Sequence, residues 1–331
     1  MNKLEKLKAV LGTKYPIIVG PMAWISTAPL VAAVANAGAL GVLGVGFAPN
    51  NVVLDQIQHT KLPTDKPFAI NVTISRQAES NLERVTEIAI NNKIQFIYAD
   101  NFEGLDKNLT QKWFSKWHRN GIKVITKVST AEEAAIADQC DADVIIAKGW
   151  EGGGHMTKVG TMALLPTVVD ATKKAVVVAS GGIADGRGYA AARMLGASGI
   201  EMGTAFLPVL EGDFHSNAKK AVLSATTENL VMTGYSTGAP CWQIQNNLSE
   251  RLNTIERENS PVQAASKVAN LASGSIRVAA QEGDTQNKGA VMPGQVVTLV
   301  TKEKSVAQTL EDVYNQGIKI LKSAANLDEL Q

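Results

Sequence analysis

Cysteine is almost absent from this sequence: two occur in 331 residues, Cys140 and Cys241. They are too few for a disulfide framework and lack the spacing of a metal site, so no metal is expected. A reducing, cytoplasmic setting follows as an expectation. Excess charge is also missing, with 32 Lys and Arg against 31 Asp and Glu and a formal net charge of +1. Neither nucleic acid nor an anionic membrane is therefore an expected partner. The apolar runs stop well short of the roughly 20 residues that a membrane span requires. The opening Met1–Gly12 mixes charges with leucines at helical spacing and lacks the apolar stretch of a secretory leader. Signatures of nucleophilic, nucleotide-hydrolysing and zinc-protease sites are missing too. There is no Gly-Lys-Ser/Thr and no His-Glu-x-x-His. No Gly-x-Ser-x-Gly sits on a strand-to-helix turn, because Gly234–Gly238, which has that spacing, lies in a segment read as a loop.

What is present is alternation. The chain is 45% hydrophobic and 19% charged, enough to bury a core unaided and suited to one large domain with an elaboration. Short apolar runs recur between helix-like segments, the pattern of βα units. Read as strands, they are Pro16–Gly20, Gly41–Val45, Phe68–Val72, Phe96–Asp100, Lys123–Val128, Val144–Gly149, Val176–Gly181 and Ile200–Ala205. Helices are expected at Ala28–Ala37, Asn81–Asn91, Leu109–Asn120, Ala131–Asp138 and Gly188–Leu195, with Ala37-Gly38 and Asn120-Gly121 as left-handed ends. The fold class is thus α/β, a (β/α)8 TIM barrel, followed by a smaller, mostly helical C-terminal substrate or lid region. Residues 1–208 form the barrel and about 209–300 the lid region. Within the latter, Asp213–Glu258 and Ser260–Ala280 read as helical and Gly283–Gly294 as a loop. Apolar residues Val306, Leu310, Val313, Ile318 and Leu321 mark a closing helix in about 301–331 that returns to the barrel.

Glycine-rich punctuation follows strands one, six, seven and eight, and a barrel brings its first and last strands together. Ser180-Gly-Gly-Ile-Ala-Asp-Gly186 and Met202-Gly-Thr204 end neighbouring strands. Loops of this kind, with a helix N-terminus, bind phosphate through free amides and the helix dipole. Gly181, Gly182, Gly203 and Thr204 are the residues so placed. Lys127 interrupts an apolar strand at the end where it could face an anion, or else is an exposed strand-end lysine. Gly20-Pro21-Met22-Ala23 could lay backbone and a polarisable sulfur against a planar ring. Asn71 offers an amide donor and acceptor to a heterocycle edge, or else makes a core hydrogen bond. A ring and a phosphate in one barrel suggest FMN. Of four histidines, His59 and His118 read as surface residues and His215 as peripheral. His155, after Gly152-Gly153-Gly154 at the mouth of strand six, is the candidate acid/base.

These segments carry a family resemblance. Tyr15-Pro-Ile-Ile-Val-Gly-Pro-Met-Ala-Trp24, Lys66-Pro-Phe-Ala-Ile-Asn71, Glu151-Gly-Gly-Gly-His155, Ser180–Gly186 and Met202–Thr204 resemble the nitronate monooxygenase/2-nitropropane dioxygenase superfamily of FMN barrels. Met22-Ala-Trp24, Gln243–Arg251 and Gly289-Ala-Val-Met-Pro-Gly-Gln295 are most similar to its flavin-dependent enoyl-acyl-carrier-protein reductase II branch. The resemblance implies FMN contacts from Pro21, Met22, Ala23, Asn71 and Lys127. It implies that Gly153, Gly181, Gly182, Gly203 and Thr204 hold ring and phosphate, and that His155 is catalytic. It further implies NADH or NADPH as reductant and an enoyl thioester in fatty acid synthesis as substrate, free or on acyl carrier protein. Nitronate oxidation with O2 and NAD(P)H:quinone reduction are the alternatives, and a homodimer is a further expectation. Non-redox chemistry on a phosphorylated substrate, which would leave the protein colourless, and flavin binding without catalysis are the readings from other classes. Lys219, Lys220 and Arg251 could form a carrier-protein patch. Two departures from the family pattern flank the histidine: Gly152 stands where alanine or a similar small residue is usual, and Met156-Thr157 replaces a hydrophobic-glycine pair.

Overall fold

The computed structural model describes residues 3–325 apart from Phe47, Ala78, Phe102 and Glu103. The expected barrel unit's positions 1–2 and 326–331 lie outside the described residues. In chain order the strands are β1 Ile17–Val19, β2 Leu40–Leu43, β3 Ala69–Thr73, β4 Phe96–Asp100, β5 Lys123–Val128 and β6 Val144–Lys148. They continue with β7 Gly154–His155, β8 Val176–Ser180, β9 Gly199–Met202, β10 Leu230–Thr233 and β11 Cys241–Ile244. All but β7, β10 and β11 close a parallel barrel in which β9 returns to β1, with Ile17 beside Ile200 and Val19 beside Met202. The eight expected barrel strands are therefore present. The last is shorter than expected, because Gly203 (φ −123°, ψ −64°) leaves the extended region and the chain turns into a 3₁₀ segment at Thr204–Phe206.

Period-two alternation sorts the strand residues into two cores. Inward-facing Ile18, Val42, Ala69, Phe96, Tyr98, Ile125, Val144, Ile146, Val176 and Val178 fill the barrel. Leu7 and Leu11 of the helix Lys3–Leu11 belong to the same cluster and plug its N-terminal end. Outward-facing residues such as Val19, Ile97, Val124, Ile145 and Val177 join the larger core beneath the helices. The helix Lys107–Arg119 alone buries Trp113, Phe114 and Trp117 completely. Each such side chain is worth roughly 2–3 kcal/mol by area.

Helices expected from the sequence appear at Ala28–Ala37, Glu79–Asn91, Lys107–Arg119, Ala131–Gln139 and Gly186–Met194, and Asn50–Lys61 and Thr161–Ala171 supply two more. Gly38 and Gly121 are left-handed as expected, at φ +96° and +73°. The closing helix Val306–Ala325 packs on Gly186–Met194, where a Cβ on Gly186 would stand 2.3 Å from the Gly317 nitrogen. Only glycine allows so close an approach of two backbones.

One expectation fails. Residues 213–258 are not mostly helical, because β10 and β11 form an antiparallel hairpin between the helices Ser216–Ser224 and Asn247–Glu258. Leu230-Val-Met-Thr233 and Cys241-Trp-Gln-Ile244 are short apolar runs whose period does not distinguish helix from strand. Gly234 and Gly238, at φ +86° and +75°, turn the chain between them. β11 then pairs with β7, joining Cys241 to His155 and Trp242 to Gly154. No described helix is long and apolar enough to cross a membrane.

Candidate active site

One step beyond the apolar filling, the inward positions of the barrel turn polar. They hold Asn71 on β3, Asp100 on β4, Lys127 on β5, Lys148 on β6, Ser180 on β8 and Glu201 on β9. Together they floor a cavity of about 290 Å³ at the C-terminal ends of the strands. Its walls include every residue expected to be catalytic or to contact FMN: Pro21, Met22, Ala23, Asn71, Lys127, Gly153, His155, Gly181, Gly182, Gly203 and Thr204.

The first wall is the turn after β1. The Ser26 hydroxyl donates to the Gly20 carbonyl at 2.9 Å and accepts from the Met22 amide at 3.1 Å. Trp24 takes a left-handed φ of +64° there. On β2's far side, a Cβ on Gly44 would meet the Met22 carbonyl oxygen at 2.3 Å, so that turn lies directly on the end of the strand.

Charge on the floor is arranged in pairs. Lys127 lies 2.5 Å from Asp100 Oδ1, with both side chains largely buried. Lys127 is therefore neither an exposed strand-end lysine nor free for an anion alone. Asn71 accepts from the Gly46 amide at 2.6 Å and donates to Asp100 at 3.2 Å. Its acceptor thus serves the core, which leaves one N–H for a ligand. Glu201 accepts from the Ser180 hydroxyl at 2.7 Å, while its Oε2 is buried with no hydrogen-bond partner among the described residues. Burial pushes the Glu201 carboxyl up, against hydrogen bonds from Ser180 and Tyr98 and the nearby lysines.

His155 sits on β7, held by the pairing with Cys241 and by the Met156 amide bonding to the Pro240 carbonyl at 2.8 Å. Although the residue is exposed at the mouth of the cavity, desolvation by the surrounding protein, then Lys148 and Lys127, lower its imidazole to about 4. It is therefore neutral at neutral pH, able to donate from one ring nitrogen and accept at the other. The loop before it is anchored by Trp242, whose indole N–H donates to the Trp150 carbonyl at 3.1 Å. The Glu151 carboxylate caps the helix Thr161–Ala171, accepting from the Thr161 amide and hydroxyl at 2.9 Å each.

The phosphate end differs from expectation in one respect. The first amides of the helix Gly186–Met194 are already taken, Gly186 by Gln316 at 2.8 Å and Arg187 by Asp185 at 2.9 Å. That helix N-terminus does not line the cavity, and the cradle consists of the two loops alone. Gly181 and Gly182 are left-handed, at φ +96° and +70°. A Cβ on Gly203 would lie 3.4 Å from the Met22 sulfur. The Thr204 hydroxyl accepts from Gly294 at 2.9 Å, which leaves its hydrogen for a ligand. Backbone amides at two glycine loops, the Met22 side chain on the cavity wall, a buried carboxyl oxygen on Glu201 and a spare donor on Asn71 fit a planar heterocycle with a phosphate tail.

The other flagged residues fall elsewhere. His59 is exposed beside Asp55, and His215 caps the helix Ser216–Ser224 by accepting from Asn217. His118 is not simply a surface residue, since it is half-buried 2.9 Å from Asp143, which raises its pKa. Ser236, in the Gly-x-Ser-x-Gly string, donates to Glu256 rather than to a histidine. Lys219 bonds to the Val209 carbonyl and Glu303. Sequence reasoning missed Lys148, Asp100, Glu201 and Cys241, and the apolar wall of Ile276, Met292 and Val296. A charge at an inward strand position, the signal that exposed Lys127, also marks Asp100, Lys148 and Glu201. The C-terminal wall has no such mark.

A family model for nitronate monooxygenases matches residues 4–316. A probable nitronate monooxygenase of Staphylococcus saprophyticus is 31% identical over 78% of this chain and 83% of its own. An octahydroindene-carboxyl-CoA dehydrogenase of Mycobacterium tuberculosis is 33% identical over 78% of this chain and 70% of its own. Among solved structures, FabK from Thermotoga maritima superposes with a TM-score of 0.87 at 32% identity, covering 97% of this chain and 98% of that one. Cavity and barrel thus coincide with a match that runs nearly end to end: this chain belongs to the nitronate monooxygenase family and is a flavin-dependent oxidoreductase.

Proposed function

We propose that this protein uses FMN to reduce the carbon–carbon double bond of enoyl thioesters, drawing on NADH or NADPH, as in enoyl-acyl-carrier-protein reduction. The observation that carries this reading is the near full-length similarity to FabK. The relative named for a CoA-linked substrate is in keeping with it. Bound FMN supplies the capacity to take up and pass on a hydride. Gly181, Gly182, Gly203 and Thr204 would hold its phosphate, and Pro21, Met22, Ala23, Asn71, Lys127 and Gly153 would border its ring. Ile276, Met292 and Val296 give an acyl chain an apolar wall. His155, neutral at working pH, would donate a hydrogen bond to the thioester oxygen as enolate charge develops there.

Nitronate oxidation is the second reading, favoured by the family model and by the relative named as a probable nitronate monooxygenase. Anaerobic titration separates the two. NADH or NADPH should bleach the flavin, and crotonyl thioester should restore its colour. Failure of the thioester to restore it, with oxidation of ethyl nitronate in air, would overturn the reductase assignment.

A further inference from the structure

Lys148 lines the floor of the cavity, yet the proposed chemistry leaves it without a part. It ends β6 on the inward face and is 9% exposed. Its ammonium nitrogen donates to the Gly153 carbonyl at 2.9 Å and to the His155 carbonyl at 2.8 Å. One side chain thereby ties two carbonyls of the same turn to the barrel floor. Between them Gly154 is left-handed, at φ +71°, with open space where a Cβ would be. The turn has no side chain of its own to pack until His155.

The neighbouring glycine fits this arrangement. A Cβ on Gly152 would stand 2.8 Å from Lys148 Cε, closer than carbon atoms approach. Position 152 is one of the two departures from the family pattern, which has alanine or a similar small residue there. On the opposite side a Cβ on Gly153 would stand 2.7 Å from the Met292 carbonyl oxygen, and the Gln295 amide bonds to the Glu151 carbonyl at 2.9 Å. The turn is wedged between Lys148 and the 292–295 segment.

We propose, resting on the acid/base role given to His155 above, that Lys148 is a positioning residue. It fixes the Gly152–His155 turn and so sets the reach of the imidazole into the cavity, and Gly152 lacks a side chain in order to admit it. The groups facing its nitrogen are Lys127, Asp100, Tyr98, Glu201, Cys241 and His155. Burial first, then Lys127, lower the amine to about 7. A neutral amine keeps two hydrogens, enough for both carbonyls, while the ammonium makes the stronger bonds. The turn is held in either form and more tightly when protonated.

The test uses the flavin-loaded protein carrying Lys148→Ala, Gly152→Ala, both together, or His155→Ala. Turnover is followed with NADH and crotonyl thioester and, in parallel, with ethyl nitronate in air. Hydrogen exchange of residues 149–156 is measured on the same samples. Displacing a group that orients a reacting residue costs about 10- to 100-fold. Lys148→Ala should therefore lower kcat by about that factor with KM little changed, and should speed exchange in the turn. Gly152→Ala alone should move both readouts the same way, and should add almost nothing on top of Lys148→Ala. Wild-type kcat and exchange in Lys148→Ala, or an equal effect of Gly152→Ala in both backgrounds, would overturn the proposal. If Lys148→Ala does not fold, Gly152→Ala decides alone: unchanged kcat and exchange overturn it. If His155→Ala keeps full turnover, the acid/base reading of His155 fails instead, and exchange still reports whether Lys148 holds the turn.

Discussion

Gly181→Ala probes the phosphate cradle, and the structure provides its own control. Gly181 has φ +96°, and a Cβ there would stand 2.9 Å from the Gly149 carbonyl oxygen and 3.2 Å from the Gly152 nitrogen. Gly121 shares a left-handed φ, +73°, but a Cβ there meets nothing within 4 Å. Left-handed strain costs an alanine about 1–2 kcal/mol. Forcing a methyl against backbone that cannot rotate away adds about 1–3 kcal/mol. Gly121→Ala should thus lose about 1–2 kcal/mol and Gly181→Ala about 2–5 kcal/mol, measured by urea unfolding of the flavin-free proteins. Gly181→Ala also displaces an amide assigned to the phosphate. A lost hydrogen bond to a charged group is worth about 1.5–3 kcal/mol, or about 10- to 150-fold in affinity. Quenching of FMN fluorescence gives the dissociation constants. If Gly181→Ala binds FMN within about twofold of wild type while Gly121→Ala behaves as calculated, the cradle has been misplaced.

Three further outcomes follow from the floor of the cavity. Asp100→Asn removes the carboxylate partner of the buried Lys127 ammonium and should destabilise by about 3–5 kcal/mol; a loss below about 1 kcal/mol in urea unfolding would mean that solvent screens the pair. The His155 ring, followed by NMR, should titrate near 4 rather than at 6.5. Because its folded pKa is depressed, its contribution to stability is complete above pH 6.5 and is lost as pH falls through about 4; a midpoint at 6.5 would mean that water at this exposed ring screens the neighbouring lysines. Lys148 likewise falls from 10.5 to about 7 when folded, so the unfolded chain binds the extra proton between those values. Its contribution makes stability rise with pH from about 7 toward 10.5, and Lys148→Met should flatten that slope in denaturant midpoints measured across the range.

The barrel was legible because its strands are buried on both faces and read as apolar runs, each stopped by glycine or a polar residue where the chain leaves the sheet. Phe96–Asp100 and Lys123–Val128 match the expected bounds to the residue. The hairpin was not legible. Its strands are four residues each, and β11, besides pairing with β10, is anchored by lateral pairing with Gly154–His155, a partner about 85 residues earlier in the chain. No local window contains that interaction. The capping of Gly186–Met194 by Gln316 of the closing helix is hidden for the same reason.

The site divides along a similar line. Glycines announce themselves, because the conformations and close approaches they permit are properties of single positions. Gly181, Gly182 and Gly203, all on the cavity wall, therefore stand out in the sequence by themselves. A charged residue inside a barrel is different, since its meaning depends on what the other strands bring to the same level. Lys127 looked like an anion ligand and proves to be paired with Asp100 two strand positions above Tyr98 on the adjacent strand. Lys148, with the same sequence signal, meets no carboxylate within salt-bridge distance among the described residues, and it bonds to backbone carbonyls instead. The absence of a Cβ at Gly152 is then the local trace of a contact made by a residue four positions earlier. A departure that reads in isolation as a neutral change between small residues becomes, on this floor, a steric condition for the lysine beneath it.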